Sequence, residues 1–248
     1  MSDPQAFAEL PLPLFTGADA VPVKTPSYLA DHRKRLRQRF LQGGPDAMPD
    51  YELLELLLFG AVLRQDVKPL ARRLMDRFGD LAGVIAASPA DLQKTDGVGD
   101  GVIGVLKLAG AVGARVARAK VMNRQVISSW GALLDYCHTV MAHRDVEHFR
   151  VLFLDRKNCL IGDEELSRGT VDHVPVYPRE ILRRALEVAA SAMILVHNHP
   201  SGDPTPSQAD IAMTERIRHG AEALSLVLHD HLIIGNGREY SFRSEGLL

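Results

Sequence analysis

Residues 196–210 read VHNHPSGDPTPSQAD and join an apolar segment, Ala192–Val196, to the expected start of a helix. The apolar segment is short and aliphatic, which predicts a buried strand. Side chains at positions i and i+2 of an extended segment point to the same side, so His197 and His199 present two imidazoles together. The first turn of the next helix can bring the carboxylate of Asp210 towards both rings. We therefore expect a strand, a proline-rich loop and a helix to build one site.

Two imidazoles and one carboxylate suit a divalent transition metal. Three protein ligands leave a fourth position for water, as in catalytic rather than structural zinc sites. Two histidines and one carboxylate also ligate iron in Fe(II) oxygenases. A structural role is a further alternative, because Ser207 and Asp210 match the Ser-x-x-acid capping box at a helix N-terminus. The residues alone leave zinc, iron and helix capping open.

The chain around this site divides into a helical half and a mixed half. Residues 28–122 carry apolar residues at helical spacing, for example in Val67–Phe78, and contain no strand pattern. After Asn123, short apolar segments typical of strands alternate with helical ones. The predicted strands are 149–155, a partner strand that begins at 159–161, 192–196, 226–228, 232–234 and 239–242. The predicted helices are 178 to about 190 and 208–225.

This pattern predicts two domains that divide near residues 121–127. Residues 28–122 form a small all-α domain. Residues 125–248 form an α/β (α+β) domain with a mixed sheet and flanking helices. Residues 1–27, which contain five prolines, are predicted to be a flexible N-terminal arm.

The composition excludes several classes of protein. Apolar residues make up 46% of the chain and charged residues 24%, so disorder is not its main state. No stretch approaches the roughly 18 to 20 apolar residues of a membrane-spanning helix, and the acidic, proline-broken N-terminus is not expected to be a signal peptide. The chain has two cysteines, Cys137 and Cys159, which excludes a disulfide scaffold and a Cys-rich zinc module. We therefore expect a reducing cytoplasm as its compartment.

The order and spacing of the candidate ligands resemble a known family. His197-x-His199, seven residues, Ser207, two residues and Asp210 is similar to the JAMM motif of MPN-domain zinc metalloproteases. The resemblance to the bacterial RadC branch rests on three segments, YPREI at 177–181, HNHPSG at 197–202 and DH at 230–231. It covers residues 28–248, including DYELL at 50–54.

The resemblance implies a zinc-dependent hydrolase of peptide or isopeptide bonds whose substrate the sequence does not name. The zinc ligands that it implies are His197, His199 and Asp210. Glu147, just before the predicted strand 149–155, would accept a proton from water and deliver it to the leaving amine. Ser207 would help to stabilise the oxyanion. Glu180 is the rival for the general base, although its place after Pro178 suits a helix N-terminus.

Two further histidines follow the ligand motif in the sequence. His229 and His231 stand at i and i+2 in a predicted extended segment, but the sequence places no carboxylate beside them. We therefore expect them to serve as hydrogen-bond partners of the zinc ligands or of the fold, and not as a second metal site.

The helical half suggests a different class of function. LQKTDGVGDG at 92–101 resembles the glycine turn of helix-hairpin-helix DNA-binding domains, in which backbone N–H groups approach phosphate. Residues 31–120 carry a net charge of about +4, against about −4 for residues 121–248. Asp96 and Asp100 flank the phosphate position and would repel it. The alternative function is a DNA-associated repair or recombination accessory protein, in which the metal serves structure or a nuclease and residues 28–122 contact DNA.

Overall fold

A computed structural model describes residues 27–169 and 176–248 of the chain. The predicted flexible arm, 1–27, lies outside the described residues except for its last residue. The helices are α1 Ser27–Gly43, α2 Asp50–Leu58, α3 Lys68–Phe78, α4 Leu81–Ala86, α5 Pro89–Gln93, α6 Asp100–Val121, α7 Trp130–Met141, α8 Pro178–Glu187 and α9 Gln208–Ala223. The strands are β1 His148–Leu154, β2 Leu160–Arg168, β3 Ala192–Asn198, β4 Val227–Ile234 and β5 Glu239–Ser241.

The first six helices build the helical half around one apolar core. The stripe predicted for α3 is buried there, because Leu70, Ala71 and Leu74 all face this core. Gly79 ends α3 with a φ of 87°, a conformation that costs glycine little. In the part of the chain that the structure describes, residues 28–120 contain no strand, which confirms the prediction of a helical region.

Helix α6 runs from the helical half into the second half. Val102 and Leu106 near its start are buried in the helical core, whereas Val121 at its end is buried in the core under the sheet. The chain then pairs with the sheet, since the backbone N–H of Asn123 donates to the carbonyl of Leu160 at 2.9 Å. The two-domain division near 121–127 stays a prediction, but the end of α6 packs with the second half.

The five strands form one mixed sheet in the order β2-β1-β3-β4-β5. Strand β3 is central: it pairs antiparallel with β1 and parallel with β4. Helix α9 makes the crossover between the parallel strands β3 and β4. The mixed sheet with flanking helices confirms the predicted fold class.

Alternating residues of β3 face two different apolar layers. Ile194 and Val196 pack with α7 on one face, whereas Met193 and Leu195 pack with α8 and α9 on the other. The side-chain period of a strand is two, so His197 continues the second series. The sheet therefore directs His197 towards the helix that carries Asp210.

The predicted strands 226–228 and 232–234 are wrong as separate elements, because β4 is one continuous strand over this region. Its register against β3 shifts by one residue: Leu228 lies opposite Met193, but Asp230 lies opposite Ile194. His229 is the extra residue of this β-bulge. The polar residues at 229–231 interrupt the apolar pattern without interrupting the strand.

Across residues 27–169 and 176–248, no helix combines the length and the apolar composition needed to cross a membrane.

We predict that residues 125–248 expressed alone fold and retain the candidate metal site, because all its candidate ligands lie in that span. A fragment that starts at residue 114 should be more stable by about 2 kcal/mol, since it keeps the buried side chain of Val121. Urea unfolding of both fragments measures this difference in the free energy of unfolding. Equal stabilities would contradict the contribution of Val121 to the second half. A 125–248 fragment that folds only when 28–120 is added would contradict the division of the chain.

Candidate metal centre

The structure brings His197, His199 and Asp210 together at the end of β3. The Nε2 atoms of the two imidazoles lie 3.1 Å apart. Asp210 Oδ1 lies 3.4 Å from Nε2 of His197, and Asp210 Oδ2 lies 3.6 Å from Nε2 of His199. One ligand atom from each residue falls within 4.8 Å of the others. Two ring nitrogens and a carboxylate that converge in this way fit a divalent cation.

The N-terminus of α9 holds Asp210 in place. Ser207 is the N-cap and forms a full capping box with Asp210: its Oγ accepts from the Asp210 N–H, and its own N–H donates to Asp210 Oδ2 at 2.8 Å. The Ser207 hydroxyl also donates to Asp210 Oδ2 at 2.6 Å. Helix capping and proximity to the imidazoles are therefore compatible, because one carboxylate serves both.

The loop after β3 fixes the ring of His199. Its Nδ1 lies 2.8 Å from the carbonyl oxygen of Asp203. A carbonyl oxygen can only accept, so Nδ1 carries the hydrogen and Nε2 of a neutral His199 keeps its lone pair. Gly202 shapes this loop with a φ of 83°, and a Cβ there would lie 3.2 Å from the Cβ of Asn236. The lone pair of His199 thus faces the same point as Asp210.

A hydrogen-bond chain fixes the ring of His197. The Thr214 hydroxyl donates to the carbonyl of Asp210 at 2.6 Å, so at 2.6 Å from His231 Nδ1 it must accept. A neutral His231 therefore presents the lone pair of Nε2 to His197 Nδ1, which lies 2.8 Å away and donates. His197 is left with its lone pair on Nε2, the atom that faces His199 and Asp210.

Burial keeps the inner rings neutral. It lowers the pKa of His197 to about 4, although the nearby Asp210 carboxylate opposes this shift. Burial also lowers the pKa of His231 well below its usual value. Burial raises the pKa of Asp210, but the imidazoles of His199 and His197 and the Ser207 hydroxyl outweigh it and hold that pKa well below its usual range. The Asp210 carboxylate raises the pKa of His199. The site thus combines a neutral His197 with an ionised Asp210, the forms of these two residues that bind metal.

Of the two glutamates considered as general base, the structure brings Glu147 to the site. It directly precedes β1, and its Oε1 lies 4.0 Å from Nε2 of His197. Its side chain is 16% exposed, so solvent reaches it at the rim. Glu180 lies on the exposed side of α8, where it pairs with Arg179 and Arg183.

His229 and His231, the two histidines that follow the ligand motif, have different contacts. His231 is fully buried and contacts His197, as expected for a partner of a ligand. The bulge in β4 turns His229 elsewhere, and its Nε2 lies 2.7 Å from Oδ1 of Asn158. Sequence reasoning missed Thr214, although its place four residues after Asp210 on one helix face is a usable signal.

The glycine turn before α6 has a hairpin geometry. Gly97 has a φ of 90°, and Gly99 is the N-cap of α6, with open space where its Cβ would stand. Arg73 Nε and Nη2 donate to the carbonyl of Asp96 in this turn. Asp96 and Asp100 are exposed beside it. Contact between this region and DNA stays a prediction.

Comparison with known proteins covers both halves of the chain. Residues 127–247 match the RadC-like JAB domain, and residues 30–102 match the UPF0758 N-terminal domain. A UPF0758 protein of Rhodobacter capsulatus is 71% identical over 213 residues, which is 86% of this chain and 100% of the relative. A UPF0758 protein of Ruegeria pomeroyi is 67% identical over 223 residues, 90% of this chain and 100% of that relative. The resemblance to RadC is confirmed, and the chain belongs to the UPF0758 family, with that family's N-terminal domain followed by a RadC-like JAB domain.

Proposed function

We propose that this protein is a zinc-dependent hydrolase of peptide or isopeptide bonds. The observation that carries the proposal is the arrangement of Glu147 beside the three candidate ligands, with its carboxylate 4.0 Å from the ligand atom of His197. A structural metal site needs no such carboxylate. A general base does need one within reach of water at the site.

The three candidate ligands fit zinc by donor type and number. His197 and His199 would each offer Nε2, and Asp210 would offer a carboxylate oxygen, which leaves one position open. Zinc, when bound, polarises the substrate carbonyl and lowers the pKa of water towards neutrality. An Fe(II) oxygenase would use the same three ligands, but it would leave Glu147 without a chemical task.

The remaining steps belong to side chains at the rim. Glu147 accepts the proton of the attacking water and later delivers it to the leaving amine. Ser207 first orients Asp210, because its hydroxyl donates to that carboxylate. Turned towards the substrate, the same hydroxyl would help to stabilise the oxyanion. The same Ser207 hydroxyl would thus serve both to position Asp210 and, after rotation, to stabilise the oxyanion.

The purified protein should contain about one zinc ion per chain. His197→Ala and Asp210→Ala should each lose it, because either change removes one of three ligands. His229→Ala is the matched control and should keep it, since His229 contacts Asn158 instead of the site. Elemental analysis measures all four proteins. Full zinc content in both ligand variants would refute the ligand assignment.

Glu147→Gln should keep fold and zinc but lower hydrolysis at least 100-fold, because an amide cannot accept the proton. Internally quenched peptides measure this rate, one set joined by α-peptide bonds and one through a lysine ε-amine. Glu180→Gln is the control and should hydrolyse at the wild-type rate. If Glu180→Gln is inactive and Glu147→Gln is active, the two assignments must be exchanged.

Thr214→Val should raise the dissociation constant for zinc about 10- to 100-fold without unfolding the protein. The change keeps the side-chain shape but removes the acceptor for His231, so the orientation of His197 is no longer fixed. Thr139→Val is a matched control, since Thr139 donates to the carbonyl of Asp135 in α7 in the same i−4 geometry. Competition with a chromogenic chelator measures both variants. Equal affinities would show that the chain through His231 does not orient the ligand.

The open N-terminus of α6 supports a second proposal, a contact between residues 28–122 and DNA. Affinity for duplex DNA should fall steeply with added salt, because bound cationic side chains displace counterions. Gly99→Ala should weaken binding by blocking the approach of phosphate, without backbone strain, since φ is −112° there. Gly104→Ala on the same helix also adds its Cβ to open space and is the control. Binding that is insensitive to salt, or equal in both variants, would remove DNA from this region.

A further inference from the structure

We propose that Asn198 is the positioning residue of Glu147. This inference rests on the proposed function, because it assigns Asn198 a role through the general base. Asn198 stands between the two candidate histidine ligands in sequence, but its side chain is directed to a different part of the site. It is fully buried, and its carboxamide bonds the backbone on both sides of Glu147.

The Asn198 side chain accepts in one of these hydrogen bonds and donates in the other. Oδ1 of Asn198 accepts from the backbone N–H of His148 at 2.9 Å. Nδ2 of Asn198 donates to the carbonyl of Val146 at 3.1 Å. The peptide groups therefore allow only one orientation of the amide. An asparagine satisfies both groups at once, whereas an aspartate would place an oxygen against the Val146 carbonyl.

These two hydrogen bonds continue the connection between β1 and β3 beyond the last backbone pair of the two strands. The paired register of β1 and β3 runs from Leu154 and Ala192 to Phe149 and His197, where it ends. One residue further, His148 still lies in register with Arg168 of β2. The side chain of Asn198 thus continues the link to β3 where the backbone ladder stops.

Glu147 is held from the opposite side as well. Its carbonyl accepts from the backbone N–H of Gly169, which follows β2, at 2.9 Å. Asn198 links the Val146 carbonyl and the His148 N–H to β3. Gly169 links the carbonyl of Glu147, which lies between them, to β2. The backbone position of Glu147 is therefore fixed relative to His197. A buried carboxamide connects the strand that carries the candidate ligands to the segment that carries the base.

The first test examines the contact itself by NMR and crystallography on the full-length zinc-loaded protein. In the wild-type protein, the amide of His148 should be protected from hydrogen exchange like the paired amides of β1. In Asn198→Ala this protection should disappear, and the Glu147 carboxylate should move away from His197. Asn198→Asp should keep the bond to His148 and lose the one to Val146. An unprotected wild-type His148 amide, or an unmoved Glu147 in Asn198→Ala, overturns the proposal.

The second test separates positioning from general support of the fold. With the quenched peptides, Asn198→Ala should lower kcat about 100-fold at unchanged KM and unchanged zinc content. In a Glu147→Gln background, the same change should have no further effect, because Asn198 acts only through Glu147. Tyr136→Phe, which removes a buried hydrogen bond to Asp163 on the α7 side of the sheet, is the control and should leave kcat unchanged.

The outcomes distinguish failure of the inference from failure of the proposed function. If Glu147→Gln abolishes hydrolysis while Asn198→Ala leaves kcat intact, the inference alone fails. If Asn198→Ala lowers the rate equally with and without Glu147, Asn198 supports the fold or the metal and is not a positioning residue. If Glu147→Gln hydrolyses normally, the proposed function fails. The inference then fails with it, whatever the exchange data show about the contact.

Discussion

The complete burial of the His197 ring is the constraint on which the candidate site depends. A buried imidazole is costly unless both of its nitrogens find partners. Nδ1 is satisfied by His231, and Nε2 faces the point where His199 and Asp210 converge. Because of the bulge in β4, His231 and not His229 faces the His197 ring. Thr214 on α9 completes the hydrogen-bond chain through its contact with His231. Strand β4, the loop after β3 and helix α9 thus all supply groups that surround the His197 ring or fix its orientation.

The central position of β3 explains how these elements meet. Its parallel neighbour β4 supplies His231, and the crossover helix between them begins with the turn that carries Asp210. Its antiparallel neighbour β1 starts where β3 ends, which places the preceding residue, Glu147, beside the same end. An edge strand could not receive contributions from both sides. The topology therefore brings ligands, ring partner and carboxylate to one strand terminus.

Local patterns predicted the parts of this site that depend on neighbouring residues in the sequence. The two-residue period of a strand placed His197 and His199 on one side, and the capping pattern placed Asp210 in the first turn of a helix. Non-local features were not predictable in this way. The choice between Glu147 and Glu180 depends on which strand lies beside β3, and the bulge at His229 depends on the register in which β4 pairs with β3. The family resemblance favoured Glu147, but only the strand pairing puts it beside the rings.

The composition of the site bears on whether a metal there would serve structure or chemistry. Structural zinc is enclosed by four protein ligands, whereas this cluster offers three and lies at a rim that solvent reaches. The Glu147 carboxylate lies 4.0 Å from Nε2 of His197, farther than the 3.4 Å of Asp210, whose carboxylate is held by the helix cap. Under the proposed function, the backbone contacts with β2 and β3 hold the Glu147 carboxylate beside the cluster for proton transfer.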